Sequence, residues 1–200
     1  MLPQLYEKFQ HWSKSGSVWI YSDPHFEDLD CKIMDPHWIS PHEQVKIINS
    51  KVFKSDTLII LGDVGNVDYI KQLKAGYKVL IAGNHDSGLS NYKRKISYDV
   101  NFSSFIAADN KLFDEVYGGP LFISDKILLS HEPIDLPFVL NIHGHKHDMQ
   151  GGQYNQNHYN VCSNCINYTP INLKDIIKTG ALNKIDNIHK ITIDKASKRY

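Results

Sequence analysis

The chain has no long apolar run. Its most hydrophobic stretches, such as Thr57-Leu-Ile-Ile-Leu61, stop well short of the ~20 residues that a bilayer-spanning helix needs, and they read as buried strands. The segment from Met1 to Trp19 also lacks a continuous apolar stretch, because Glu7, Lys8 and Lys14 interrupt it. No secretory leader is expected, and the cytoplasm is the default location. Cysteine is scarce. Cys31, Cys162 and Cys165 are an odd number and too few for a disulfide framework, which agrees with a reducing compartment. Neither sign of charge is in excess: 22 basic side chains balance 22 acidic ones, so no global field draws the chain onto nucleic acid or an anionic membrane. Repeats, low-complexity tracts and linker-like segments are missing as well.

What is present is a globular composition. With 200 residues and 42% hydrophobic content, the chain suits one domain, residues 1–200, around one core. It reads as short apolar strands that each run into a polar loop. Ser17–Tyr21 is β-branched and aromatic and ends at Ser22-Asp23-Pro24-His25. A helix is expected from Pro41 to about Phe53, where Val45, Ile48 and Val52 share one face and Pro41 fits the first turn. Strand Thr57–Leu61 leads into Gly62-Asp63-Val64-Gly65. A short helix around Asp68–Ala75 then feeds strand Lys78–Ala82, which opens into Gly83-Asn84-His85-Asp86. This is β-α-β-α-β order.

From Phe113 the rhythm changes. Phe113–Tyr117, Pro120–Ser124 and Lys126–Ser130 follow one another without helices, as in a meander. Further strands are expected at Phe138–Ile142, His158–Cys162 and Ile188–Ile193, with a helix near Asn172–Thr179. The fold class is α/β, a layered αββα-type sandwich of mixed sheets. Ser87–Asn110 is the least regular stretch and reads as a loop or lid.

Five of the strand-end loops concentrate metal-binding side chains: Asp23 with His25, Asp63, Asn84 with His85 and Asp86, His131, and His145 with His147. Oxygen and imidazole donors suit divalent first-row metals. Such groups are costly beside buried strands unless they are paired or metal-bound. Taken singly, each cluster has a plain reading, because Asp, Asn and Gly also build turns and Gly144-His145-Lys146-His147 could be a surface tract. Their joint order, each directly after a strand, does not reduce to turns. Parallel strands bring the loops at their ends to one sheet edge, however distant in sequence.

The series Asp-x-His, Gly-Asp, Gly-Asn-His-Asp, His and Gly-His-x-His resembles the calcineurin-like metallophosphoesterase superfamily. Here the motifs are Asp23/His25, Gly62-Asp63, Gly83-Asn84-His85-Asp86, His131 and Gly144-His145-Lys146-His147. The small single-domain bacterial and phage members are the most similar, because Asn160-Val161 and Asn167-Tyr168-Thr169-Pro170 follow in the expected place. The resemblance spans roughly Ser17 to Lys178. It implies that Asp23, His25 and His147 hold one divalent metal ion, that Asn84, His131 and His145 hold a second, and that Asp63 bridges them. Manganese is the expected metal, with iron, zinc or nickel as alternatives. It further implies that His85 is a general acid oriented by Asp86. Asn84 and His85 are expected to contact substrate, as is Arg94 through its charge.

The expected activity is hydrolysis of a phosphate monoester or diester. The substrate would be a small phosphorylated compound, with nucleotides among the candidates; no membrane is expected as partner, and there is no strong sign of nucleic-acid binding. Two alternatives belong to other classes: a non-catalytic scaffold on the same fold, and a dinuclear hydrolase of another bond such as an amide. Retention of His85 argues against the first, and the Gly-Asn-His-Asp element argues against the second.

Other residues read as structure. Cys162-x-x-Cys165 has metal or redox spacing but no second cysteine pair, so free thiols are expected. Cys162 and Asn164 stand where related small members often carry Gly and Asp. His143 is near enough to His145 to support it. His11, His37, His42, His158 and His189 read as surface or hydrogen-bonded residues, and Lys195, Lys198 and Arg199 as a solvated tail. Lys93 and Lys95, beside Arg94, read equally as a phosphate grip or an exposed loop face.

Overall fold

The computed structural model describes residues 4–88, 96–98, 104–106 and 112–185. In chain order its strands are β1 (Val18–Tyr21), β2 (Thr57–Ile60), β3 (Tyr77–Ile81), β4 (Ile96–Tyr98), β5 (Ser104–Ile106) and β6 (Glu115–Tyr117), then β7 (Leu121–Ser124), β8 (Ile127–Leu129), β9 (Leu140–His143), β10 (Gly152–Gln153), β11 (His158–Asn160) and β12 (Ile171–Asn172). The α-helices are α1 (Cys31–Met34), α2 (Pro41–Lys51) and α3 (Leu173–Lys178).

Two mixed sheets result. The first runs β12-β1-β2-β3-β6-β5-β4 and the second β10-β11-β9-β8-β7. Within the first, β1, β2, β3 and β6 are parallel, with Val18 opposite Thr57 and Leu58 opposite Lys78. Within the second, β8, β9 and β11 are parallel. The interior strand β2 is buried along its whole length, as its Leu58-Ile59-Ile60 run suits a strand covered on both faces. A parallel bridge between Ser22 and Cys162 joins the ends of β1 and β11, and so ties the two sheets together.

The core is continuous. Ile20, Ile59 and Leu80 from the first sheet pack in one apolar cluster with Ile127, Leu129 and Ile142 from the second, Ile48 of α2 and Ile176 of α3. Fully burying a side chain of this kind contributes about 1.5–3 kcal/mol, which fixes the layers and hence the strand ends that carry the loops. Helix α2 starts where Pro41 indicates, with that proline in the first turn, and the structure adds a capping box formed by Ser40 and Glu43.

At the strand end away from those loops, the carboxylate of Glu115 accepts hydrogen bonds from Tyr77 (2.6 Å), Tyr117 (2.7 Å) and Trp12 (3.2 Å), with His11 Nε2 at 2.6 Å. Burial would raise this carboxyl, but the bonds from Tyr77, Tyr117 and His11 hold it below its ordinary value.

Two expectations are corrected. The segment expected as a helix over Asp68–Ala75 is a 3-10 helix, Val67–Gln72, capped by Asn66; the chain turns extended at Leu73, too soon for an α-helix to propagate. The stretch Ser87–Asn110 includes the antiparallel pair β4 and β5, which extends the first sheet beyond β6. The strand expected at Ile188–Ile193 lies outside the described residues. Among the described residues no helix is long and apolar enough to cross a membrane.

Candidate metal centre

The parallel strands β1, β2, β3, β8 and β9 all run out toward one edge. Their loops bring Asp23 and His25, Asp63, Asn84 and His85, His131, and His145 and His147 to one place. The ladders continue into those loops: Asp23 N–H donates to Gly62 O (3.2 Å), His25 N–H to Asp63 O (3.0 Å) and Gly144 N–H to His131 O (2.9 Å). Four of these side chains sit on left-handed backbone, with φ of 54° at Asp23, 42° at His25, 50° at Asp63 and 65° at His145. A Cβ at Gly144 would lie 1.9 Å from Ser22 Oγ and 2.1 Å from Asp23 Oδ2, so only glycine lets this loop close over Asp23.

The ligand atoms form two groups. In the first, Asp23 Oδ1 faces His147 Nε2 at 3.5 Å and His25 Nε2 at 4.0 Å, and His25 Nε2 faces Asp63 Oδ2 at 3.7 Å. In the second, His131 Nε2 is 2.8 Å from Asn84 Oδ1, 3.1 Å from His145 Nδ1 and 3.3 Å from Asp63 Oδ2. Donors bound ~2.1 Å from one ion stand about 3.0–3.4 Å apart for angles between a right angle and the tetrahedral value, so the spacings around His131 suit a shared cation. Asp63 belongs to both groups.

The distal ring nitrogens are occupied, which fixes the tautomers. His25 Nδ1 pairs with Asp28 Oδ2 (3.1 Å), His131 Nδ1 with Leu61 O (2.9 Å) and His147 Nδ1 with Asn164 Oδ1 (3.0 Å). Each bond leaves Nε2 directed inward, as a ligating imidazole requires. Asp23 is held similarly. Its Oδ2 accepts from His145 N–H (2.9 Å) and Cys162 Sγ–H (3.2 Å), while its Oδ1 is buried and has no hydrogen-bond partner.

Electrostatics point the same way. Burial would raise the Asp23 carboxyl, but the imidazoles of His147 and His131 outweigh it and hold it down at about 2. Burial would lower His131, but the Asp63 hydrogen bond and the charges of Asp23 and Asp63 raise it to about 9. Without metal the carboxylates of Asp23 and Asp63 favour the protonated form of His131, and Asp23 likewise raises His147. A single proton on His131 Nε2 cannot serve three surrounding acceptors. An orphaned carboxylate oxygen and converging N/O donors both fit divalent cations.

The remaining residues fall as follows. His85 is exposed at the rim, its ring centroid 5.7 Å from that of His25, and its backbone N–H donates to Asp63 Oδ1 (3.0 Å). The expectation that Asp86 orients His85 is corrected. Asp86 Oδ2 accepts from the backbone N–H groups of Asp63 (2.9 Å) and Gly83 (2.8 Å), and Oδ1 accepts from that of Val64 (3.0 Å), so its carboxylate is spent on the loop that carries Asp63. Arg94, with Lys93 and Lys95, lies outside the described residues. His143 points away from the centre, bonded to Gly144 O (2.8 Å) and Tyr154 Oη (2.9 Å).

Three contributors escape sequence reasoning. The spacing of Asp28 from His25 carries a weak signal. Asn164, which supports His147, and Cys162, a free thiol as expected that also touches Asp23, stand out in the sequence only as departures from related members, with no sign of these contacts.

Among solved structures, the chain is similar to a protein of unknown function from Aquifex aeolicus, with 22% identity, a TM-score of 0.59, and coverage of 82% of this chain and 98% of that one. It also matches nuclease MPE of Pseudomonas putida, at 20% identity and a TM-score of 0.39, over 65% of this chain and 60% of that one. The comparison with curated proteins returned no match. The family model described as calcineurin-like phosphoesterase matches residues 16–149, a span that holds every ligand of both groups. The chain belongs to the calcineurin-like phosphoesterase family.

Proposed function

We propose that this protein hydrolyses esters of a small phosphorylated compound, nucleotides included, with two divalent cations held side by side. The observation that carries this reading is the position of Asp63 Oδ2, which lies 3.7 Å from His25 Nε2 and 3.3 Å from His131 Nε2 and so faces both ligand groups at once. On this reading Asp23, His25 and His147 hold one cation, Asn84, His131 and His145 hold the other, and Asp63 reaches both. Bound cations supply positive charge that lowers the pKa of water and attracts phosphate oxygens, with manganese as the expected metal.

The protein's own groups do the rest. Asp28, Leu61 O and Asn164 hold the Nδ1 atoms of His25, His131 and His147 and so turn the Nε2 atoms toward the site. Asp86 fixes the loop of Asp63. His85, exposed at the rim, donates a proton to the departing ester oxygen, and Asn84 adds a polar contact for substrate. The three free thiols support a reducing compartment, the cytoplasm.

The test is a panel of phosphate monoesters and diesters, cyclic nucleotides included, offered to protein reconstituted with Mn²⁺, Fe²⁺, Zn²⁺ or Ni²⁺ singly. Turnover that chelation abolishes and metal restores is expected, with two metals per chain by elemental analysis. Full activity in metal-free protein refutes the reading.

A further inference from the structure

Two thiols sit against the metal centre. Cys162 follows β11 and is fully buried, with Sγ 3.2 Å from Asp23 Oδ2. Cys165 is partly exposed, and its Sγ lies 3.3 Å from His147 O and 3.4 Å from Lys146 O. The chain between them forms a turn: Ile166 N–H donates to Cys162 O (3.1 Å) and Ser163 O (3.3 Å), and residues 164–166 are a 3-10 helix. Side chains three apart on a helical turn stand about 5–6 Å apart at Cβ, so a disulfide, which spans about 3.5–4.5 Å, closes with a small tightening of this turn. Both sulfurs lie beside the same histidine: Cys162 Sγ is within 4.8 Å of the ligand atoms of Asp23 and His147, and Cys165 Sγ lies against the His147 carbonyl.

We propose that Cys162 and Cys165 form a reversible disulfide whose closure loosens the metal held by Asp23 and His147. The oxidant is a peroxide. The Cys165 thiolate, the sulfur that solvent reaches, attacks one peroxide oxygen; the O–O bond breaks and, with a proton, the other oxygen leaves as water, giving a sulfenic acid. Cys162 sulfur then attacks the sulfenic sulfur, loses its proton and expels the hydroxyl as a second water. Two thiols lose two electrons and two protons, and one peroxide becomes two waters.

Closure withdraws two contacts from the centre. Asp23 Oδ2 loses the Sγ–H donor and keeps only His145 N–H, and the Cys165 thiol leaves the carbonyls of the segment that carries His147. Removing a group that orients a metal ligand typically weakens metal binding about 10- to 100-fold, and that is the expected effect here.

The proposal rests on Asp23 and His147 being ligands, so the test reads thiols and metal separately. The full chain, stripped of metal, is treated with hydrogen peroxide, and Mn²⁺ binding is followed by the electron paramagnetic resonance of the free ion. Manganese is chosen because it binds thiolates poorly. Expected are a mass lower by two hydrogens, a cross-linked peptide joining Cys162 and Cys165, weaker Mn²⁺ binding, and recovery of both with dithiothreitol. Cys165→Ser should bind Mn²⁺ equally before and after peroxide, whereas Cys31→Ser should behave like the parent chain. Oxidation that stops at one sulfur, a disulfide that includes Cys31, or a closed Cys162–Cys165 disulfide with undiminished Mn²⁺ binding overturns the proposal. If the reduced chain binds no Mn²⁺, the ligand assignment falls and the switch falls with it.

Discussion

Replacing Asp86 separates two roles that one sequence motif would combine. Its carboxylate accepts from three backbone amides, those of Asp63 (2.9 Å), Gly83 (2.8 Å) and Val64 (3.0 Å). Hydrogen bonds to a charged acceptor contribute about 1.5–3 kcal/mol each, so three sum to about 4–9 kcal/mol before the cost of burying the charge. That cost is large, because burial raises this carboxyl above its ordinary value in spite of the three donors. A net loss of about 2–4 kcal/mol is therefore expected for Asp86→Ala, or about 5–15 °C in Tm for a chain of this size. Asp86→Asn keeps one acceptor oxygen, enough for two amides, and sets its NH₂ against the third, so a smaller loss of about 1–3 kcal/mol follows. Both variants should bind metal more weakly, in parallel with their Tm, because the loop of Asp63 loosens. Thermal denaturation and Mn²⁺ binding on the same samples decide the matter. An Asp86→Asn protein with unchanged Tm and metal content, but slowed on esters with poor leaving groups, would show that Asp86 acts through His85 and refute the loop-anchoring role.

Other outcomes follow from the same geometry. In metal-free protein the raised His131, at about 9 against an ordinary 6.5, contributes stability that is fully present below pH 6.5 and lost as pH rises through 9. The loss is about 3 kcal/mol at most. Tm should fall over that window and stop falling with saturating Mn²⁺, since a ligating imidazole is neutral; a flat profile without metal counts against the assignment. His85→Ala should slow alkyl or nucleoside esters about 10²–10⁴-fold and nitrophenyl esters far less, with metal content intact. An equal loss for all leaving groups would assign His85 to charge stabilisation instead. Gly144→Ala must push aside Ser22 Oγ and Asp23 Oδ2, so metal binding by calorimetry should drop at least tenfold; normal binding would mean that the loop relaxes freely.

The sequence exposes the parts of the fold that repeat a physical pattern. Thr57–Ile60 is buried on both faces and reads as a strand from its apolar run alone, and Pro41 marks the start of α2. Short elements set by tertiary pairing are not legible. Ile171–Asn172 becomes a strand only because Trp19 and Ile20 stand beside it, and α1 packs Cys31 against Trp38 and Tyr168 without a periodic stripe. The ligands are visible because Asp and His at strand ends are unusual. Their supports are not. Asp86 spends its oxygens on backbone amides, which any sequence offers, and Asn164 and Cys162 reach His147 and Asp23 from residues far along the chain.

The left-handed backbone at Asp23, His25, Asp63 and His145 has a consequence for divergence within this fold. An L-residue in that conformation costs about 1–2 kcal/mol, somewhat less for Asp and His; Glu27, Phe138, Asn167 and Tyr168 carry it too, but at the four ligand positions it also aims a metal-binding side chain. Glycine would relieve the cost at once. A descendant released from coordinating metal should therefore drift toward Gly or Asn at these four positions before its strands change. The residues found there in any relative thus act as a record of whether its centre is still in use, and that record can be checked by metal analysis of relatives that differ at just those sites.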